Sequence, residues 1–214
     1  MTDRREKRLR MLWRSLAICG LAFMLAPCAQ AAEPVAGKTV YIDAGHGGKD
    51  SGAVGNGLLE KNINLAVSRH VVDKLKAEGA NPVATRTDDH FLTLEERVAK
   101  ASANHADLFV SIHVNSGVSS ASGTETYFQS DYEAENSQRL ASDIQSELVS
   151  SLQTRDRGVK ESDFYVITYS KMPSVLAELG FITNSSDADK LGSEVYQEKA
   201  ADAIVAGIDS YYAQ

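Results

Sequence analysis

Four residues far apart in the chain, His46, Glu60, His113 and Glu178, are of the types that hold a divalent metal and move protons. Two histidines and one carboxylate with an open fourth position make a catalytic zinc site, and a separate carboxylate beside the zinc-activated water serves as general base. Imidazole and carboxylate ligands leave the zinc a Lewis acid and bring the pKa of its water towards about 7. Such a water attacks an amide carbonyl, while the second carboxylate collects the proton and hands it to the leaving nitrogen.

Taken singly, each residue has a plainer explanation. His46, in the stretch "DAGHGG", could be a loop histidine or part of a glycine turn that cradles phosphate. The Lys-Ser/Thr pair that a P-loop requires does not follow it. His113 could be a satisfied core histidine. Glu60 could be a first-turn residue favoured by the helix dipole, and Glu178 could point to water from an alternating strand. The joint placement of the four is what carries weight.

That placement rests on the elements around them. Lys38 to Ala44 reads as a strand and is followed by a glycine-rich segment, Gly45 to Gly57. Ile63, Val67, Val71 and Leu75 give Glu60 to Glu78 a helical period. Asn81 to Thr85 is a second strand, and Thr93-x-x-Glu96 is a capping box opening a helix to about Asn104. "LFVSIHV", Leu108 to Val114, has the continuous apolar pattern of a strand covered on both faces. Strands are then expected at Gly123 to Phe128, Asp163 to Thr168 and Pro173 to Leu179, with helices at Ala134 to Leu152 and Ser193 to Tyr212.

Strands alternating with helices indicate an α/β fold: a single domain with a twisted, mostly parallel sheet flanked by helices on both faces. In such a sheet His46, His113 and Glu178 follow or end strands, and Glu60 opens the helix after the first one. All four then fall at the carboxyl edge, where open α/β sheets bind ligands.

Composition bounds the setting. Residues 1–31 run from a basic segment through the apolar stretch Leu16 to Leu25 to the small-residue site Ala29-Gln30-Ala31, the order of a secretory signal peptide. The apolar stretch is short for a membrane span, so no stable membrane insertion is expected after cleavage. The segment holds six of the 22 Lys and Arg and two of the 29 Asp and Glu, which leaves 16 basic and 27 acidic residues beyond it, net −11. That charge disfavours nucleic acid as a partner. Cys19 and Cys28 both lie in the segment, so disulfides and thiolate metal sites are excluded from the rest. Residues 32–37 are expected to be a short, flexible lead-in to a catalytic domain spanning 38–214. An exported, monomeric protein is expected, in a bacterial periplasm or, as the second option, secreted across a single membrane.

His70, His90 and His105 are expected to be structural. Asp88, Asp89 and His90 resemble a metal cluster by composition, but a solvated loop explains them.

The stretches "VYIDAGHGGKDSGAVG", "LLEKNINLAVS", "TRTDD", "LFVSIHVNS", "GTETYF" and "MPSVLAELGFITN" together resemble the zinc-dependent N-acetylmuramoyl-L-alanine amidases of the type 3 family. The resemblance runs from about Lys38 to Tyr212. It implies that His46, Glu60 and His113 bind Zn2+ and that Glu178 is catalytic. It also implies peptidoglycan as substrate, cut at the amide between N-acetylmuramic acid and the first stem residue, L-alanine. Ala44 and Ser51 stand where the family often has Pro, which touches pocket shape and not chemistry.

Some members insert an inhibitory helix after the "GTETYF" strand and need an activator protein. Only a few residues separate Phe128 from the next helix here, so an open site and no activator are expected. Two other classes stay in comparison: a zinc carboxypeptidase-like hydrolase of the stem peptide, and a non-catalytic wall-binding protein on the same fold.

Overall fold

A computed structural model describes residues 33–214. The expected signal peptide lies outside the described residues. Among those described, no helix is long and apolar enough to cross a membrane.

A six-stranded sheet forms the centre. Its strands are β1 (Thr39–Ala44), β4 (Asn81–Ala84), β5 (Leu108–Asn115), β6 (Thr124–Phe128), β7 (Asp156–Glu161) and β8 (Ser174–Phe181), in the order β4-β1-β5-β8-β6-β7. All neighbours run parallel except β6 and β8. Two short strands, β2 (Val54–Gly55) and β3 (Leu58–Leu59), form a small hairpin within the glycine-rich segment.

Alternation along the strands sorts residues to two unlike faces. Val40, Ile42, Val110, Ile112, Val175, Ala177 and Leu179 join the large core. They pack there with three long helices: α1 (Glu60–Ala77), α3 (Ala134–Leu152) and α6 (Glu194–Tyr212). The intervening residues Tyr41, Phe109 and Leu176 build a smaller core. It is covered by α2 (Leu94–Ala103) and the single turn α4 (Tyr165–Thr168). Further along the same face the strands turn polar, with Asp43, Ser111, His113, Glu178 and Glu125. This gradient explains a carboxylate inside the apolar run of β8: Leu176 closes the small core, and Glu178, two residues on, lies past its rim.

Three local readings differ from expectation. The stretch 163–168 is not a strand: β7 is Asp156–Glu161, and residues 165–168 form α4. "FYVITY" has the β-branched and aromatic content of a strand, but it finds no pairing partner and buries Val166 and Ile167 against the small core. "DRGVKE" lacks an apolar run because β7 is an edge strand. An additional helix, α5 (Ser185–Leu191), starts where the Asn184 side chain accepts from the Asp187 N–H. Residues 33–37 are not loose, since Val35 is fully buried and its N–H donates to Asp209.

Candidate metal centre

The loop after β1 carries His46, and buried guanidinium groups set its shape. Arg86 donates to the carbonyls of Ala44, Gly45, Lys61 and Asp88. Arg97 donates to the carbonyls of Ala44 and His46 and to the Asp43 carboxylate. With its carbonyls satisfied in this way, the loop holds His46 at φ 60°, a left-handed conformation uncommon for a residue with a side chain. His46 Nδ1 lies 2.8 Å from Asp50 Oδ2, which leaves the Nε2 lone pair as the atom that could ligate a metal.

Glu60 is the first residue of α1 and needs no side-chain cap from Leu59 before it. The Glu60 and Lys61 N–H groups donate to the carbonyls of Ala53 and Ser51, so the glycine-rich loop does the capping and the Glu60 side chain is free. Its Oε2 accepts from Ala53 N–H at 2.8 Å, and its Oε1 accepts from Val114 N–H at 3.0 Å. Oε1 also lies 3.3 Å from His46 Nε2 and 2.9 Å from His113 Nδ1. Close approach requires glycine at two positions: a Cβ on Gly52 would sit 2.5 Å from Glu60 Oε2, and one on Gly45 2.3 Å from the His113 ring.

One ligand atom from each of His46, Glu60 and His113 therefore lies within 4.8 Å of the others. Two imidazole nitrogens and one carboxylate oxygen suit zinc, and the second nitrogen of His46 already has its carboxylate partner. Burial by itself would raise the Glu60 pKa, but hydrogen bonds and charge from His113 and His46 outweigh it and hold the carboxyl far below its usual range. For His46, burial favours the neutral ring, yet Glu60 and Asp50 prevail and the pKa is raised. Two imidazole rings held around one carboxylate offer the donor set of a divalent cation.

Glu178 is the direct cross-strand partner of His113. Its side chain is 9 % exposed, and Oε2 is buried with no hydrogen-bond partner among the described residues. Burial first, then the carboxylates of Glu60 and Glu125, push its pKa well above the usual value. A divalent cation among the three ligands would pull it back down. Beside these groups opens a cavity of about 350 Å³ whose walls include Asp43, His46, His113, Phe91, Leu94 and Phe164. All four residues singled out from sequence thus meet at one place.

Sequence reasoning passed over the residues that hold them. Asp43 is 1 % exposed and accepts from Thr85, Arg97 and Ser111. Its signal was the same as that of Glu178, a carboxylate within an apolar strand. Asp50 stands one helical turn's spacing from His46 in a loop, where spacing means little. Asp89 does more than sit in a solvated loop: it accepts from the Gly48 N–H at 2.8 Å and from Lys61 at 2.7 Å, tying the glycine-rich loop down.

Comparisons with known proteins agree with this geometry. Residues 40–210 match the family model described as N-acetylmuramoyl-L-alanine amidase. The chain is 88 % identical over 206 residues to "Uncharacterized protein YqiI" of Bacillus subtilis, covering 96 % of this chain and 100 % of that protein. It is 57 % identical over 184 residues to N-acetylmuramoyl-L-alanine amidase LytC of the same organism, covering 86 % of this chain but only 37 % of LytC. The CwlD amidase from Clostridioides difficile, solved in complex with the GerS lipoprotein, superposes with TM-score 0.79 at 35 % identity, covering 82 % of this chain and 98 % of that one.

Proposed function

Because the chain belongs to the N-acetylmuramoyl-L-alanine amidase family, we propose that it hydrolyses the amide joining the lactyl group of N-acetylmuramic acid to L-alanine in peptidoglycan. We propose further that His46, Glu60 and His113 hold zinc and that Glu178 is the general base. The observation that carries this is the convergence of the three ligand atoms within 4.8 Å, with Glu178 next in register to His113.

Zinc bound there would supply a Lewis acid that polarises the amide carbonyl and acidifies a water towards neutral pH. The protein's own groups do the rest. Asp50 fixes the His46 ring so that Nε2 faces the centre. Glu60, locked by the Ala53 and Val114 N–H groups, keeps its carboxylate in one orientation. Glu178 takes the proton from the attacking water and returns it to the leaving amine of L-alanine, a nitrogen that is a poor leaving group until protonated. Its burial among β8 apolar residues keeps the carboxylate from turning to solvent.

Residues 129–133 alone connect β6 to α3, which supports an accessible site and hydrolysis without an activator protein. A purified protein that stays silent on peptidoglycan until a partner is added would contradict that. Export to the compartment that holds peptidoglycan follows from the substrate.

The test is digestion of purified peptidoglycan with the zinc-loaded protein. New N-terminal L-alanine is expected; release of a C-terminal stem residue would favour a carboxypeptidase-like enzyme, and no release a wall-binding protein.

A further inference from the structure

Beside the metal centre lies a polar cluster that the chemistry above does not use. Glu125 on β6 is the cross-strand partner of Glu178 on its other side from His113. It is 2 % exposed and accepts four donors. Oε1 takes Asn115 Nδ2 at 2.6 Å and Tyr127 OH at 2.8 Å; Oε2 takes Arg157 Nε at 2.7 Å and Lys160 Nζ. Arg157 and Lys160 both rise from β7, the edge strand.

Tying an edge strand to a sheet through a buried carboxylate needs one cation. A second leaves the cluster with an excess positive charge, in a chain whose formal net charge is −7. Arg157 uses Nε alone, and neither of its Nη groups has a partner among the described residues. Its guanidinium lies 4.7 Å from the centroid of the Phe181 ring, so it stands at the carboxyl end of β8, three residues past Glu178. The side chains of Arg157 and Lys160 stay 26 % and 37 % exposed. A guanidinium with its Nη edge free presents a planar fork that matches a carboxylate.

The reaction's direction says which half of the substrate meets this fork. Glu178 must reach the leaving nitrogen, and across the sheet the order of side chains runs from His113 through Glu178 to Glu125 and the β7 cations. With Glu178 serving the leaving nitrogen, that order would send the peptide half towards β6 and β7 and leave the muramoyl half on the side of His113 and the apolar cavity.

We propose that Arg157, with Lys160 beside it, binds a free carboxylate of the stem peptide on the leaving-group side of the scissile amide, and that Glu125 is the positioning residue that holds both cations. This rests on the amidase reading. It makes the protein selective for stem peptides whose carboxylate is unmodified.

The test compares two soluble muramoyl-L-alanyl dipeptides, one with a free carboxylate on its second residue and one with the matching primary amide. The wild-type protein is expected to favour the carboxylate by tenfold or more in kcat/KM. Arg157→Gln should lose roughly 10–100-fold on the carboxylate substrate, mostly in KM, so that the two compounds are hydrolysed alike. Lys160→Met, which leaves the Arg157 to Glu125 bond in place, should narrow the preference by a smaller factor. Equal kcat/KM of the wild-type protein on the two compounds would overturn the inference, whether or not a variant folds. So would an Arg157→Gln protein that loses the same factor on both, because that is the mark of a purely structural residue. Failure of the broader amidase reading looks different: the wild-type protein would hydrolyse neither compound, and the inference would fall with it.

Discussion

Glu178 and His113 are direct partners across the β5–β8 ladder, so their side chains leave the same face of the sheet one strand apart. Neighbouring strands are about 4.8 Å apart, a spacing that sets the proposed proton acceptor beside a proposed metal ligand without any loop having to adopt a special shape. The two groups are thereby positioned by the most rigid part of the fold.

Replacing that carboxylate separates chemistry from metal binding. Glu178→Gln is expected to keep its zinc and its thermal stability while hydrolysis drops by about 10²–10⁴-fold, the usual range for removing a general acid or base. Metal content by mass spectrometry and rates on peptidoglycan check this together. Near-normal hydrolysis would remove Glu178 from the mechanism.

In the proposed centre, Asp50 would act on zinc through His46. With its 2.8 Å contact to Nδ1 weakened in Asp50→Asn, the ring loses its fixed tautomer and orientation, and zinc affinity should fall about 10–100-fold. Competition against a chromophoric chelator measures it. An unchanged dissociation constant would show that the loop alone orients the ring.

Gly45 tests close approach at a position whose backbone tolerates a side chain. A methyl group in Gly45→Ala would stand 2.3 Å from the His113 ring. The ring is expected to swing away, so the variant should fold and yet bind substoichiometric zinc. Full zinc occupancy with normal activity would mean that the loop yields in place of the ring.

Asp43 and Arg97 give the fold an acid-sensitive joint. Burial by itself raises the Asp43 pKa, but the charge of Arg97, with hydrogen bonds from Thr85 and Ser111, prevails and lowers it below its ordinary value of 3.8. A carboxyl depressed by folding stabilises the protein above its unfolded pKa, and that contribution is lost as pH falls below about 3.8 through the folded value. In Arg97→Met the carboxylate is buried without its cation, a change that costs about 3–5 kcal/mol. Burial then dominates and raises the pKa, so the stability contributed at this site should fall as pH rises from 4 to 7. Urea unfolding of both proteins across that range checks the sign. Matching slopes would show that Asp43 is not coupled to Arg97.

The site was more legible than its supports. His46, Glu60, His113 and Glu178 stand out because histidines and carboxylates in glycine turns and apolar strands are conspicuous, and parallel strands send their carboxyl ends to one edge. Asp43 carries the same signature but was hidden by its neighbour, the glycine-rich motif. Arg157 and Lys160 lie in "DRGVKE", which reads as polar surface until β7 is seen to be an edge strand paired with β6. "FYVITY" was misread because its composition suits a strand, and composition cannot say whether a pairing partner is free.

What the sequence determined by itself was the set of local preferences: the periods that make α1, α3 and α6 helices, the apolar runs of β5 and β8, and four reactive residues at strand and helix ends. Only the tertiary structure decided which long-range neighbours those residues have. Register aligned Glu178 with both His113 and Glu125, and β6, entering antiparallel, brought Glu125 to the carboxyl edge from the start of its strand. The reason is physical: hydrogen-bond ladders and the packing of two unlike cores choose strand order and register, and neither is encoded within any one segment of the chain.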